Sequence, residues 1–233
     1  MIEFKCDENG QYKRVSFQQE IKNPEVVWQL MERFSTIFPD LEIFPISDMH
    51  LTYFHYGKPQ GLFQDVRKFS DKLEFDTFLD GFKELLGEGI KNPVEDLVLP
   101  VDRVEIFGSE GNPILGLKLK RTGRLMRQRN PFSLQLYHFL RLVGVKDLKN
   151  CIEQSSNLVW EDLRYNPHIS LGRLSSWRDI PEVDLLDMSV ELSAPILKNA
   201  EIGGLYPILG RQGEAYKSRD PSEVPLDDIQ IVS

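Results

Sequence analysis

Two short stretches of the chain repeat one pattern of side chains that could carry out proton transfer. Residues 50–53 read His-Leu-Thr-Tyr within "DMHLTYFHYG", and residues 168–171 read His-Ile-Ser-Leu within "NPHISLGRL". Successive side chains of an extended strand point to opposite faces, so each stretch presents one imidazole and one hydroxyl on the same face, with apolar residues behind them. A lone histidine in an apolar strand is more often a hydrogen-bonded core residue, but the repetition favours a shared chemical role.

Two imidazoles that face each other suit in-line displacement at phosphorus. One of them, when neutral, accepts a proton from the attacking oxygen, and the other, when protonated, donates a proton to the leaving oxygen. Thr52 and Ser170 can donate hydrogen bonds to the nonbridging phosphate oxygens, where negative charge must be stabilised. This scheme needs neither a metal ion nor a cofactor. We assign His168 as the general base and His50 as the general acid, and the similarity of the two stretches leaves the reverse assignment open.

At these residues the sequence resembles the 2H phosphoesterase superfamily, which includes 2′-5′ RNA ligase-like proteins and RNA 2′,3′-cyclic phosphodiesterases. The mark of that family is a pair of His-apolar-Ser/Thr-apolar motifs; "HLTYFHYG" looks like the first copy and "PHISLGR" like the second. The resemblance covers about residues 24–210. It implies a bilobal α+β fold, with two pseudo-symmetric antiparallel-sheet lobes around a central groove. The groove would be lined by His50, Thr52, His168 and Ser170.

Three further residues bear on the site. His55 follows His50 by an odd number of positions, so strand alternation predicts that it faces away from the groove in a structural role. His138 falls within a predicted helix, where a surface or partly buried position is expected. Tyr206, in "GGLYPIL", is a candidate for stacking on a base, and the alternative is a position in the core.

A basic stretch is the other candidate for substrate binding. The formal net charge of −8 argues against broad coating by nucleic acid. Residues 118–129, "KLKRTGRLMRQR", nevertheless contain no acidic residue. A local patch of this kind could attract the phosphates of one ligand, whereas the alternative is a solvated loop. The predicted substrate contacts within it are Lys118, Lys120, Arg121 and Arg124.

Helices and short strands must position these residues. Apolar residues at helical spacing predict helices over 23–38, 72–86 and 131–143. Asn-Pro pairs are expected to begin the first and third of these helices, and Gly87 is expected to end the second. Strands are predicted over 41–46, 49–56, 97–107, 114–120, 158–160, 167–174 and 187–192, with a hairpin turn at "GSEGNP". The pattern is typical of an α+β protein.

Composition bounds the organisation of the chain. Its 233 residues, 41% of them hydrophobic, can bury one large core or two small lobes. We expect an N-terminal segment at 1–23, a 2H phosphoesterase-like domain at 24–210 and a polar tail at 211–233. Two cysteines and no CxxC spacing predict neither a disulfide framework nor structural zinc, which fits a cytoplasmic location. No run of about 18 apolar residues occurs, so no membrane span is expected.

The leading hypothesis is a metal-independent phosphodiesterase that acts on a nucleotide or an RNA end. The bond that we expect it to hydrolyse is a 2′,3′-cyclic phosphate or a 2′-5′ linkage. The same site could also catalyse the reverse reaction, ligation. The alternative is a non-catalytic RNA- or nucleotide-binding module that uses the same groove and basic stretch. A metal hydrolase using His50 and His55 is disfavoured, because strand alternation predicts opposite faces for them and no third ligand stands at suitable spacing.

Overall fold

In the computed structural model, residues 4, 6, 8–46, 49–155, 158, 165–178 and, as backbone, 199–209 are described. The strands are β1 (Val15–Ile21), β2 (Glu42–Ile43), β3 (His50–Gly57), β4 (Leu97–Ser109), β5 (Asn112–Leu119), β6 (His168–Arg173) and β7 (Asn199–Leu209). The helices are α1 (Pro24–Ile37), α2 (Pro59–Arg67), α3 (Phe75–Lys91), α4 (Gly123–Leu142) and α5 (Leu148–Gln154). The predicted α+β fold class is confirmed.

The strands form one antiparallel sheet in the order β2-β6-β3-β1-β7-β4-β5. A further pairing joins β5 to β6, so six strands from β6 round to β5 make a continuous hydrogen-bonded ring. The short β2 pairs with the end of β6. Because β3 and β6 are neighbours in this ring, the two strands that carry the repeated motif lie side by side.

The helices cover the sheet with the apolar faces that their sequences predict. In α1 the buried positions include Val27, Leu30 and Phe34, as the helical spacing requires. In α4 the ring of Phe132 packs against Phe17 of β1, with 5.1 Å between ring centroids. Most of the buried apolar side chains of helices and strands belong to one hydrophobic cluster.

Two helix boundaries differ from the sequence prediction. Helix α4 begins at Gly123, where the side chain of Thr122 accepts a hydrogen bond from the backbone N–H of Leu125, so Pro131 lies inside the helix. A proline there removes one backbone hydrogen bond at a cost of about 3 kcal/mol. The extra turns bury Leu125 and Arg129, which offsets that cost. The prediction that Asn130 begins this helix is therefore wrong.

Helix α3 runs through Gly87 to Lys91. The reason lies in packing, because a Cβ placed on Gly89 would come within 2.6 Å of the ring of Phe17 in β1. A side chain at this position could not fit, so Gly89 lets the helix approach the strand closely. The expected stop at Gly87 is wrong, since one glycine inside a helix costs only about 1 kcal/mol.

Four elements were not anticipated: α2, α5, β1 and β7. Strand β1 lies within the expected N-terminal segment 1–23, yet it is an interior strand between β3 and β7. Its buried side chains include Gln18 and Gln19. Because these two residues are polar, the sequence lacks the apolar pattern that predicts a buried strand. Of the strand predicted over 158–160, only Leu158 is described, and it is not in a strand. The strand predicted over 187–192 and the tail 211–233 lie outside the described residues.

Candidate functional site

The pairing of β3 with β6 brings the two motifs together. The strands are antiparallel, with Leu51 opposite Ile169. Both of these side chains are fully buried, so the residues that flank them point to the other side of the sheet. We call that side the motif face. Its four half-buried motif residues are His50, Thr52, His168 and Ser170.

The register determines which motif residues are neighbours. In this antiparallel pair each histidine lies opposite the hydroxyl residue of the other motif, so His50 faces Ser170 and His168 faces Thr52. Residues directly opposite have Cβ atoms about 5 Å apart, and diagonal residues about 7–8 Å apart. The two histidines occupy the diagonal, a separation at which both rings can reach one tetrahedral group between them. The pair therefore has a local two-fold relation that exchanges the motifs.

The imidazole of His168 is held on two sides. Its Nδ1 lies 2.8 Å from the backbone carbonyl oxygen of Asn166, which is satisfied when Nδ1 carries the proton and leaves Nε2 as the acceptor. Its ring stacks on Phe107 of β4, with centroids 4.2 Å apart and planes inclined by 23°. Burial lowers the pKa of His168, and this effect outweighs the opposing influences of Asn166 and Glu105. At neutral pH the uncharged form of the ring is therefore favoured.

The glycine at position 116 of β5 makes room for this stack. A Cβ on Gly116 would lie 2.7 Å from Cε2 of Phe107 and 2.9 Å from the carbonyl oxygen of Ile169. Phe107 thus lies over the backbone of β5, and His168 packs against it. No larger residue fits unless Phe107 moves.

We expect Gly116→Ala to displace Phe107 and, with it, the ring of His168. Overpacking of this kind costs about 1–3 kcal/mol of folding free energy, and a misplaced base should lower kcat/KM by about tenfold or more. Both effects can be measured by denaturant unfolding and by steady-state kinetics. Gly111→Ala is the matched control, because a Cβ there meets nothing within 4 Å. Equal behaviour of the two variants would show that the stack does not position His168.

The outer neighbours of the two histidines differ in charge. On the β1 side, Glu20 is the backbone partner of His50, and on the β5 side Lys118 is the backbone partner of His168. The charged group that acts on the pKa of His168 is the carboxylate of Glu105, which opposes the effect of burial. Lys118 also pairs with Glu105, with 3.2 Å between Nζ and Oε2. The residues that pair with the two histidines thus differ, although the motifs themselves are alike.

A buried arginine anchors β3 from the side opposite to the motif face. Arg129 of α4 is 1% exposed, and its Nε donates a hydrogen bond of 2.9 Å to the carbonyl oxygen of Tyr53. Its guanidinium carbon lies 3.5 Å from the ring centroid of Tyr165, whose hydroxyl donates to the carbonyl oxygen of Thr52 at 3.1 Å. Although Arg129 ends the basic stretch 118–129, it belongs to the core.

The strand β3 contains a bulge just after Thr52. Consecutive residues of β1 pair with Thr52 and Phe54, so Tyr53 is an extra residue. The rings of Tyr53 and Phe54 both pack against Phe132, at 5.3 and 6.0 Å between centroids, and so lie on the same side. The alternation therefore shifts by one residue, and His55 returns to the motif face. The prediction that His55 faces away is wrong, because the bulge is set by pairing with β1.

The basic stretch divides into separate environments. A cavity of about 560 Å³ beside the start of β6, which we call the basic cavity, is lined by Lys118, Lys120, Arg121, Asp102, Leu119, Tyr165, Asn166 and Pro167. Arg124 does not line it. Instead its guanidinium pairs with Glu95 on the exposed side of α4, at 2.6 Å. The structure thus brings three of the four predicted basic contacts next to His168.

The remaining candidates are placed as follows. Tyr206 of β7 is the backbone partner of Gln18, which is itself the partner of Thr52, so position 206 lies in the same row across the sheet. His138 is exposed on α4. Within the described ranges, no group of three or more His, Cys, Asp or Glu residues is arranged to hold a metal ion. None of the helices described combines the length and apolar character needed to cross a bilayer.

Comparison with protein-family models gives no match, and neither does comparison with curated proteins. Solved structures with a similar fold include TT0787 of Thermus thermophilus, with 15% identity, 83% of this chain and 86% of that chain covered, and a TM-score of 0.48. Apo E. coli LigT matches with 13% identity, 84% and 87% coverage and a TM-score of 0.49. E. coli LigT complexed with 3'-AMP matches with 13% identity, 88% and 92% coverage and a TM-score of 0.48.

Proposed function

We propose that this chain is a metal-independent 2H-type phosphodiesterase that acts on a nucleotide or an RNA end. The favoured bond is a 2′,3′-cyclic phosphate or a 2′-5′ linkage. The observation that carries the proposal is the adjacency of two His-x-hydroxyl motifs on one face of a paired β3–β6 unit. Binding alone would need the hydroxyls and cations but not two proton-transfer groups on the diagonal of one strand pair.

For a 2′,3′-cyclic phosphate, the reaction is an in-line attack by water on phosphorus. Nε2 of His168 takes a proton from the water as the new P–O bond forms, and His50 gives a proton to the ribose oxygen whose bond to phosphorus breaks. Thr52 and Ser170 donate hydrogen bonds to the nonbridging oxygens. The product is a phosphomonoester with one free ribose hydroxyl. The second turnover begins after the two histidines have exchanged their protons with solvent.

The assignment of base and acid draws support from the surroundings of each histidine. Burial lowers the pKa of His168, so the neutral form that a base requires is favoured. Glu20 is the backbone partner of His50, so the two motif histidines have different neighbours in the sheet. We therefore assign the role of base to His168 and the role of acid to His50.

The proposal is tested by incubating the tag-free protein, with a chelator present, with 2′,3′-cyclic nucleotides, 2′-5′ and 3′-5′ oligonucleotides and cyclic dinucleotides. We expect turnover of at least the cyclic nucleotides or the 2′-5′ oligonucleotides. Turnover of none, together with measurable binding, would favour the alternative function, an RNA- or nucleotide-binding module. That alternative is favoured by the basic cavity, which offers cations for phosphate next to the motif face.

The basic cavity predicts a contribution to oligonucleotide binding. We expect the double substitution Lys120→Ser and Arg121→Ser to weaken binding of an oligonucleotide much more than binding of a mononucleotide. The slope of log K against log salt should flatten by roughly one unit for each phosphate that the protein no longer neutralises. The matched control is Arg124→Ser with Arg127→Ser, which removes the same charge from the helix outside the cavity. An equal effect of the two double variants would indicate general electrostatic attraction only.

A further inference from the structure

The motif face continues beyond the four motif residues. Through the bulge in β3, His55 becomes the backbone partner of Ser16 in β1, while Thr52 is the partner of Gln18. Ser16 and Gln18 lie two residues apart and share a face, and Nε2 of Gln18 lies 3.4 Å from Oγ of Ser16. Three polar side chains, Ser16, Gln18 and His55, thus form a row on this face, and Gln18 is the cross-strand partner of Thr52. Directly opposite residues of an antiparallel pair have Cβ atoms about 5 Å apart.

The carboxamide of Gln18 has an unused acceptor. Its side chain is 8% exposed, and its Oε1 has no hydrogen-bond partner within the described part of the chain. A buried polar atom without a partner is costly, by about 1–3 kcal/mol, and native proteins keep few of them. A ligand that donates an N–H or O–H to Oε1 would recover this cost. Gln18 is the backbone partner of Thr52, so the acceptor lies next to the place proposed for the reacting phosphate.

The row is polar but uncharged. Burial, assisted by the positive charge of Arg14, lowers the pKa of His55 to about 4, so its imidazole is neutral at physiological pH. Gln18 and Ser16 carry no charge at any pH. The basic cavity lies on the other side of the β3–β6 pair and carries Lys118, Lys120 and Arg121. One side therefore suits a neutral hydrogen-bonding group, and the other suits phosphate.

We propose that Ser16, Gln18 and His55 form a subsite for the nucleoside of the substrate, in which Oε1 of Gln18 accepts a hydrogen bond from a ribose hydroxyl or a base amino group. This inference rests on the proposed function for the class of ligand. It adds an orientation: the nucleoside lies on the β1 side of the motif strands, and further phosphates lie on the β5 side. Gln18 is then a specificity residue, and it takes no part in proton transfer.

Ligand binding at the subsite can be detected through the four histidines even if no substrate is hydrolysed. In the tag-free protein, the ring resonances of His50, His55, His138 and His168 are assigned by single substitutions and followed by NMR. Adenosine, which has no phosphate, is expected to shift His55 and leave the exposed His138 unchanged. Inorganic phosphate is expected to shift His50 and His168 and leave His55 unchanged. Adenosine that shifts no histidine, or that shifts only His50 and His168, would overturn the inference.

A substitution tests the acceptor itself. Gln18→Leu removes both polar atoms of the carboxamide and leaves an apolar side chain. We expect it to raise the Kd for adenosine by about tenfold, as the loss of one buried hydrogen bond does, with an unchanged Kd for phosphate. Gln11→Leu, at an exposed position, is the matched control. Purine riboside, which lacks the amino group, shows which donor Gln18 binds. If Gln18→Leu and wild type bind purine riboside with equal Kd, the donor is the base amino group. If the variant still binds it more weakly than wild type, the donor is a ribose hydroxyl.

The test distinguishes the absence of a nucleoside subsite from the absence of phosphodiesterase activity. If cyclic nucleotides and the small diester bis(p-nitrophenyl) phosphate are both hydrolysed, Gln18→Leu should raise KM for the nucleotide alone and leave the diester unaffected. An equal change for both substrates would contradict a nucleoside subsite while leaving the phosphodiesterase activity intact. If no substrate is hydrolysed, the adenosine shifts still decide whether the subsite exists. Should Gln18→Leu fail to fold, the wild-type shift pattern decides alone.

Discussion

His50→Ala and His168→Ala are each expected to lower kcat for a 2′,3′-cyclic nucleotide by about a hundredfold or more. Each substitution removes one of two proton-transfer groups, and loss of a positioned general acid or base costs about 10²–10⁴ in rate. The measurement is steady-state hydrolysis with a chelator present. Thr52→Ala and Ser170→Ala should have similar or smaller effects, because each removes one hydrogen bond to the developing charge.

The same assay should give a bell-shaped pH profile. Activity requires neutral His168, whose pKa burial holds below the usual 6.5, so the rate should rise with pH along a limb centred below 6.5. The rate should fall again at the higher pH where His50 loses its proton. If His168 is the base, its replacement removes the acidic limb from any residual activity, whereas the alkaline limb remains. The reverse outcome would exchange the two roles.

The control for both measurements is His138→Ala, since that side chain is exposed on α4 away from the motif face. It should leave kcat near the wild-type value. Activity that survives the double substitution of His50 and His168, or that disappears when the chelator is added to the wild-type protein, would contradict the proposed mechanism.

Arg129→Ala is expected to have the largest effect on stability, a loss of about 3 kcal/mol or more in the free energy of unfolding. It removes a charged hydrogen bond to the carbonyl oxygen of Tyr53, worth about 1.5–3 kcal/mol, and leaves that buried oxygen without its donor. It also removes the guanidinium from the ring of Tyr165 and leaves a cavity in the core. Because domains are stable by about 5–15 kcal/mol, urea unfolding should show the change clearly.

A second substitution separates charge from volume at this position. Arg129→Met retains most of the side-chain volume, and removal of a buried charge relieves its desolvation cost, so we expect a smaller loss of stability than for Arg129→Ala. Both variants should lower kcat, because Tyr165, which holds the carbonyl oxygen of Thr52, loses its packing partner. Arg141→Ala, on the exposed side of the same helix, is the control. Unchanged stability in Arg129→Ala would show that the arginine does not anchor β3.

The sequence by itself determined which residues could do chemistry and which of their strand neighbours would be buried. Within each motif, His and Thr or Ser are two residues apart, and two residues is the period of a strand, so their common face follows from local geometry alone. Leu51 and Ile169 are fully buried as that period requires. Helix α1 is likewise predictable, because its apolar spacing and its Pro24 are local signals.

Only the tertiary structure decided how these local pieces meet. The pairing of Leu51 with Ile169 places the two histidines on one diagonal, and no local property of either strand selects that register. The bulge at Tyr53 turns His55 to the motif face, because consecutive residues of β1 pair with Thr52 and Phe54. Arg129 looks like a surface cation in a basic run, yet it is buried because helix α4 begins a full two turns earlier than its Asn-Pro signal indicates. In each case the arrangement is stabilised by contacts between segments that are far apart in the chain. Local propensity and periodicity carry no information about such contacts.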